Sequence, residues 1–320
     1  MTPKNKKPAL PIVARREIDA RSGIARQDMA IGLAAIFRPR LRGKRTVVEV
    51  RQAWNGAEII LTAPEMDASD LGVLLSLLHL AGEIKETQAG NATAGLIPGS
   101  ESGTGKANGA GSLPTITLNT SMAEICRTLG RDPEDGRAHR MIRSALRCLS
   151  MVVVEVQGGA DWRQTHLITG AAGRGRGAVS VTFSYRLTRA LLLAGSYARI
   201  DMMAWPAMPP VTQVAYHWLA AWFGGAHGER RISVEKLAAH VWGDAAKNQQ
   251  QRQNRKDALR RALAALPDGW RGRIEGETAV ITACRRQQPV FLQVRTRVSA
   301  SGPDAETRAG AGFPGAAEFA

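Results

Sequence analysis

The stretch 252-RQNRKDALRRALAALPDGW-270 reads as a helix with one apolar and one basic face. At 100° per residue, Leu259, Ala262, Leu263 and Leu266 fall on one arc, while Gln253, Lys256, Arg260 and Arg261 fall on the other. A shorter helical pattern, Ser233–Trp242, precedes it, and strand-like segments Trp270–Arg273 and Ala279–Ala283 follow as a hairpin. Helix, turn, basic helix and strands carrying arginines is the order in which a winged helix offers its second helix to a major groove.

The same unit occurs earlier in the chain. Ser121, Ile125 and Leu129 repeat the spacing of Ser233, Leu237 and Val241, and each set precedes a basic amphipathic helix. In the earlier helix, Arg137–Leu149, the residues Met141, Ile142, Ala145, Leu146 and Leu149 share one arc and His139, Arg140, Arg143 and Arg147 the other. Ser121-x-x-Glu124 is a capping-box pattern. The expected fold is therefore α+β: two tandem winged-helix (helix-turn-helix) domains over 26–195 and 196–298. A loop over 86–113, rich in Gly, Ala, Ser, Thr and Asn, interrupts the first. Residues 1–25 and 299–320 read as disordered ends.

Between these landmarks the pattern predicts a short helix Gln27–Ile36. Val- and Ile-rich strands Thr46–Gln52 and Ala57–Thr62 follow, joined by Asn55-Gly56 as a hairpin. A helix capped by Asp67 or Ser69 then runs to about Ile84, with Leu71, Leu74, Leu75, Leu78 and Ala81 as its core stripe. Further strands are expected at Thr115–Leu118, Met151–Gln157, Arg163–Thr169 and Ala178–Ser184. The strand-like RIDM from Arg199 and the helix Val211–Phe223 open the second domain.

The net charge of +15 and a sequence pI near 10.6 point to a polyanionic partner. The basic residues are spread along the chain rather than gathered in one tail, and 44% hydrophobic content is enough for packed cores. Three scattered cysteines, Cys126, Cys148 and Cys284, provide neither a disulfide framework nor a zinc site and suit a reducing cytoplasm. The longest apolar segment, Leu71–Gly82, is too short to span a bilayer. No membrane association is expected.

Enzymatic signals are missing where they would be required. Gly99–Ala107, GSESGTGKA, approaches a phosphate-binding loop, but Ser100 stands where its first glycine belongs and Ala107 where a magnesium-binding hydroxyl belongs. The six histidines form neither His-x-His nor His-Glu-x-x-His. Trp218, Trp222 and Trp242 recur at helical spacing and read as core. A non-enzymatic chain without cofactor or metal is expected.

The candidate DNA-binding residues form three groups. The two helix faces contribute His139, Arg140, Arg143 and Arg147, and Arg252, Gln253, Arg255, Lys256, Arg260 and Arg261. Arginines near the start of such a helix can donate to guanine O6 and N7 or hold phosphates. Arg174 and Arg176 of GRGRG, with Arg271 and Arg273 in the second unit, are wing candidates. Arg38, Arg40, Arg42, Lys44 and Arg45 form a third patch suited to sequence-independent phosphate contact.

Several pairs of residues also stand in a telling order: Phe37-Arg38 and Arg42-Gly43-Lys44-Arg45; Pro64 followed by Asp70-Leu71 and an apolar helix; Arg199-Ile200; the helix ending in Trp222; Val241-Trp242. Arg255-Lys256 leading to Arg260-Arg261-Ala262-Leu263, and Gly269-Trp270, complete the series. From about Phe37 to Trp270 the chain resembles replication protein C (RepC), the origin-binding initiator of IncQ-type plasmids. The resemblance implies two winged-helix domains that bind repeated iterons in double-stranded DNA, and origin opening for a separate helicase and primase. The chain departs from the family in its 86–113 insertion and beyond about residue 285. A transcriptional repressor and a non-catalytic RNA- or DNA-binding scaffold are the alternative readings. Oligomeric state is not legible.

Overall fold

Leu71 through Leu78 are buried without interruption, so the helix that carries them is covered on every side. A helix apolar all round belongs inside a protein rather than on its surface. A computed structural model describes residues 23–41, 43, 45–54, 56–92, 115–158, 161–174, 177–191 and 197–284, all within one compact unit.

The chain enters as β1 (Ile24–Asp28), α1 (Met29–Leu33), β2 (Phe37–Arg38), β3 (Val47–Trp54), β4 (Ala57–Pro64) and β5 (Met66–Asp67). The buried helix, α2 (Ala68–Ala92), follows. Next come β6 (Thr117–Ser121), α3 (Met122–Thr128), α4 (Gly136–Ser150), β7 (Val153–Gly158), β8 (Asp161–His166), β9 (Ile168–Arg174), β10 (Ala178–Phe183) and α5 (Tyr185–Leu191). The described chain ends with β11 (Tyr197–Asp201), a 3-10 turn at Trp205–Ala207, α6 (Pro210–Phe223), β12 (Gly228–Ser233), α7 (Val234–Trp242), α8 (Gln249–Ala264), β13 (Trp270–Glu275) and β14 (Thr278–Ala283).

The fold is mixed α and β, with several small sheets around the helices. β3, β4, β7 and β8 form an antiparallel sheet in that order, and β1 pairs antiparallel with β11. Two further sheets repeat one arrangement, β6-β10-β9 and β12-β14-β13. In each, the strand before a short helix pairs with the last strand of the unit. The correspondence extends to single residues. Ser121 pairs with Ala178, the first residue of β10, and Ser233 with Thr278, the first of β14. Both serines cap the following helix, Ser121 accepting from Glu124 N and Ser233 from Lys236 N. The next amide then donates to the turn before the last strand, Met122 N to Gly177 O at 2.8 Å and Val234 N to Glu277 O at 2.9 Å. The β7–β8 hairpin is an insertion in the first copy alone.

α2 packs against β1, α4 and α6, so the helices leading both copies share one core. Val73 and Leu77 are as buried as the expected stripe. Its first turn is fixed by Asp67, whose Oδ1 accepts from Ser69 N and Asp70 N at 2.8 and 3.2 Å. The β1–β11 ladder crosses the position where the sequence places a domain boundary.

Four local expectations are corrected. The helix over Gln27–Ile36 is only Met29–Leu33, because Gln27 and Asp28 pair with Ala198 and Tyr197. Asp28 caps that helix and meets Arg186 of α5 at 3.0 Å. Ile24 and Ala25 belong to β1 rather than to a disordered arm. Residues 86–92 continue α2 rather than belonging to the expected loop. α8 begins at Gln249, a turn before Arg252, with Asn248 as its cap. Residues 1–22, 93–114 and 285–320 lie outside the described residues.

His217 of α6 is fully buried, edge-on to Phe37 at 5.5 Å. Burial pushes its pKa down from 6.5 to about 3. Below the unfolded-state pKa the unfolded chain binds a proton that the native chain refuses, so stability falls with pH from about 6.5 toward about 3. This group alone sets a slope of up to about 1.4 kcal/mol per pH unit. Urea unfolding at about pH 7 and pH 5 should show a smaller acid loss for His217→Leu than for the parent chain. An equal loss in both would rule out His217 as a source of it.

Candidate nucleic-acid interface

α4 presents the least encumbered positive surface among the described residues. Asp135 caps it, accepting from Arg137 N at 2.7 Å, and Ala138, Ile142, Ala145, Leu146 and Leu149 turn inward. That leaves Arg137, Arg140, Arg143 and Arg147 exposed on the other side. None of the four has a carboxylate within ion-pair distance among the described residues. Their guanidiniums keep all their donors for an outside acceptor. Arg137 is absent from the sequence-based set, although its three-residue spacing from Arg140 places it on the same face. His139 is turned aside, with Nε2 2.7 Å from Pro133 O in the preceding turn.

α8 repeats the packing but not the electrostatics. Arg255, Leu259, Ala262 and Leu263 are buried at the spacing of Ala138, Ile142, Ala145 and Leu146. β13 approaches this face so closely that a Cβ on Gly272 would stand 2.9 Å from Leu263 Cβ. Each basic residue of α8 before Arg261 has an acidic partner. Arg252 lies 3.7 Å from Glu235 and 3.8 Å from Glu277, Lys256 donates to Glu277 at 2.5 Å, and Arg260 meets Asp257 at 2.6 Å. Gln253 donates to Asp257. Arg261 is exposed with no acidic partner among the described residues. A polar groove of about 640 Å³ opens between α7 and α8, with Glu235, Arg252, Lys256 and Glu277 on its walls.

Arg255 does not join the basic face, and this corrects its placement. It is 7% exposed, lies over the Trp242 ring at 5.4 Å, and donates to Asp244 O and Oδ1 at 2.7 and 2.8 Å. The signal was available, since Arg255 stands four residues before the buried Leu259. In the second hairpin, Arg271 is exposed, whereas Arg273 joins a ladder with Glu275 and Glu229 at 2.6 and 3.7 Å.

The Arg38–Arg45 patch is largely structural. Arg38 is half-buried, donates to Ala35 O and sits against Gly243, where a Cβ would collide with its guanidinium. Arg45 donates to Asp70 Oδ2 at 2.6 Å and to Glu65 O at 3.1 Å, neutralising a carboxylate that is buried at the start of α2. Only Arg40 of the described members is fully exposed. Arg42, Lys44 and Arg176, and the side chain of Arg174, lie outside the described residues.

Two copies of one helix-and-sheet unit stand on a shared core, each with a helix whose outer face carries basic side chains. The family model for replication protein C (RepC) matches residues 109–275, which take in both α4 and α8. The chain belongs to the RepC family, and its role is that of a replication initiator. No curated protein matches the sequence. The crystal structure of RctB domains 2–3, residues 155–483 of that protein, is similar with a TM-score of 0.51 at 11% identity. The match covers 80% of this chain and 97% of that one. Selenomethionine crystals of RctB domains 2 and 3 give a TM-score of 0.47 at 11% identity, covering 78% and 94%. At this identity the likeness describes the fold. Among the described residues no helix is long and apolar enough to cross a membrane.

The contrast between inward and outward arginines has a measurable consequence. Arg255→Ala removes packing on Trp242 and strips Asp244 of its partner, and should cost on the order of 1–3 kcal/mol of stability. Arg143→Ala, at an exposed position, should stay within about 0.5 kcal/mol. Denaturant titration of both variants checks the assignment, and equal losses would contradict it.

Proposed function

We propose that the chain is a non-enzymatic initiator that binds double-stranded origin DNA through two winged-helix units, with α4 and α8 as the reading helices. The observation that carries this reading is the outer face of α4, where Arg137, Arg140, Arg143 and Arg147 stand exposed without acidic partners. Such a face supplies phosphate affinity at any sequence, and bidentate guanidiniums add discrimination where guanine presents O6 and N7. The repeated strand order, with the middle strand coming last in sequence, supports the winged-helix assignment. In each unit a helix pair sits between the first strand and the closing hairpin.

Two unequal copies in one chain suit direct repeats better than a palindrome. Iterons are the corresponding target, with each unit on one major-groove face and about two helical turns covered in all. Bending of the DNA to meet both units would supply strain for local opening, and strand separation and priming would fall to a separate helicase and primase. The setting is the cytoplasm.

Fluorescence anisotropy with a duplex carrying the repeats of the chain's own replicon, against a scrambled duplex, tests this reading. Arg140→Ala and Arg143→Ala should each weaken repeat binding by roughly fivefold to a hundredfold, corresponding to about 1–3 kcal/mol for a lost base contact. An arginine bound only to phosphate should instead lower the salt slope by about 0.9. Unchanged affinity and slope in both folded variants would overturn the proposal.

A further inference from the structure

The two units differ at one corresponding position beside the cap serine. Where the first copy has Gly177, bonded through its carbonyl to the amide after the cap serine, the second has Glu277 in the same bond. The backbone at this point is therefore held against the start of the short helix in both copies. Only in the second does a side chain extend from it. Glu277 accepts from Lys256 Nζ at 2.5 Å and stands 3.8 Å from Arg252, one turn earlier on α8. The Lys256 hydrogen bond and charge hold its carboxyl below the ordinary carboxylate range. Lys256 is itself mostly covered, at 17% side-chain exposure, whereas Glu277 is at 64%.

We propose that Glu277 is a specificity-determining residue of α8 that occupies Lys256 and Arg252 until DNA displaces it. This rests on the duplex-binding reading above. A phosphate approaching α8 meets a carboxylate already seated on the two cations it would use. Nonspecific phosphate contact at α8 is therefore an exchange of one anion for another rather than a net gain. A site that also makes base contacts can drive the exchange; one that offers only phosphate cannot. α4 has no such guard, so the two units divide the work. α4 anchors the chain on any duplex, and α8 engages where sequence supports it.

The experiment measures binding of a mixed-sequence duplex several helical turns long across a salt series. It compares the full-length parent chain, Glu277→Gln, Lys256→Ala, the double variant and Arg143→Ala. Glu277→Gln should tighten binding about tenfold at low salt and steepen the log-log salt dependence by roughly one to two, as Lys256 and Arg252 turn to phosphate. Most of that gain, each variant being compared with its own Glu277-bearing background, should vanish when Lys256 is replaced by Ala. Loss of one negative charge acting at a distance would instead give the same gain in both backgrounds, and that result overturns the proposal. So does an unchanged slope in Glu277→Gln while Arg143→Ala weakens binding, an outcome that leaves duplex binding standing. If Arg143→Ala also binds as the parent does, the duplex-binding reading itself fails.

Discussion

Burial of α2 is the constraint on which the described structure depends. A helix with leucines on every side has to be enclosed, and the elements that enclose it are those that carry the candidate interface. α4 covers one side and α6, the leading helix of the second copy, another. The unbroken burial from Leu71 to Leu78 represents roughly 1.5–3 kcal/mol for each large side chain removed from water. The ionic contact at its start serves the same end. Asp70 is enclosed there, and Arg45 satisfies it, which is why a residue from a basic run is unavailable for an outside ligand.

The two units share one packing pattern while presenting two different basic helices. The inward spacing is retained: Ala138 and Arg255 occupy matching places, as do Ile142 and Leu259. Replacing a small apolar residue by arginine at such a place needs a compensating cavity wall, and Trp242 with Asp244 provides it. Outward, the change runs the other way. Arg140 corresponds to Asp257, so Arg143 is free where Arg260 is paired. The two helices share their inward packing and differ in surface charge.

The units were legible from the cap serines, because a hydroxyl at the start of a helix and apolar residues four and eight positions on are set by local chemistry. Arg255 was misplaced because residue type outweighed position; a guanidinium four residues from Leu259 shares its side of the helix. The β1–β11 ladder could not be read, since it joins segments separated by most of the described chain and neither alternates strongly. Gln27 and Asp28 looked helical for the same reason, their strand state being imposed by Ala198 and Tyr197. α5 and β12 went unseen because each is short and draws its stability from tertiary partners. Two of the acidic partners of α8 were equally hidden: Glu235 and Glu277 lie far apart in sequence and converge only when β12 and β14 pair.

The placement of Arg38 carries a consequence for geometry at a larger scale. It belongs to β2, ahead of the first copy, yet its guanidinium fills the space over Gly243 in the turn that leads into α8. α8 is thus aligned by a residue more than two hundred positions away as well as by its own sheet. On the proposed reading, the angle between the two reading helices is fixed before DNA arrives. Such a protein measures the helical phase between neighbouring recognition sequences, and inserting half a turn of DNA between them would put the second sequence on the wrong side of the duplex.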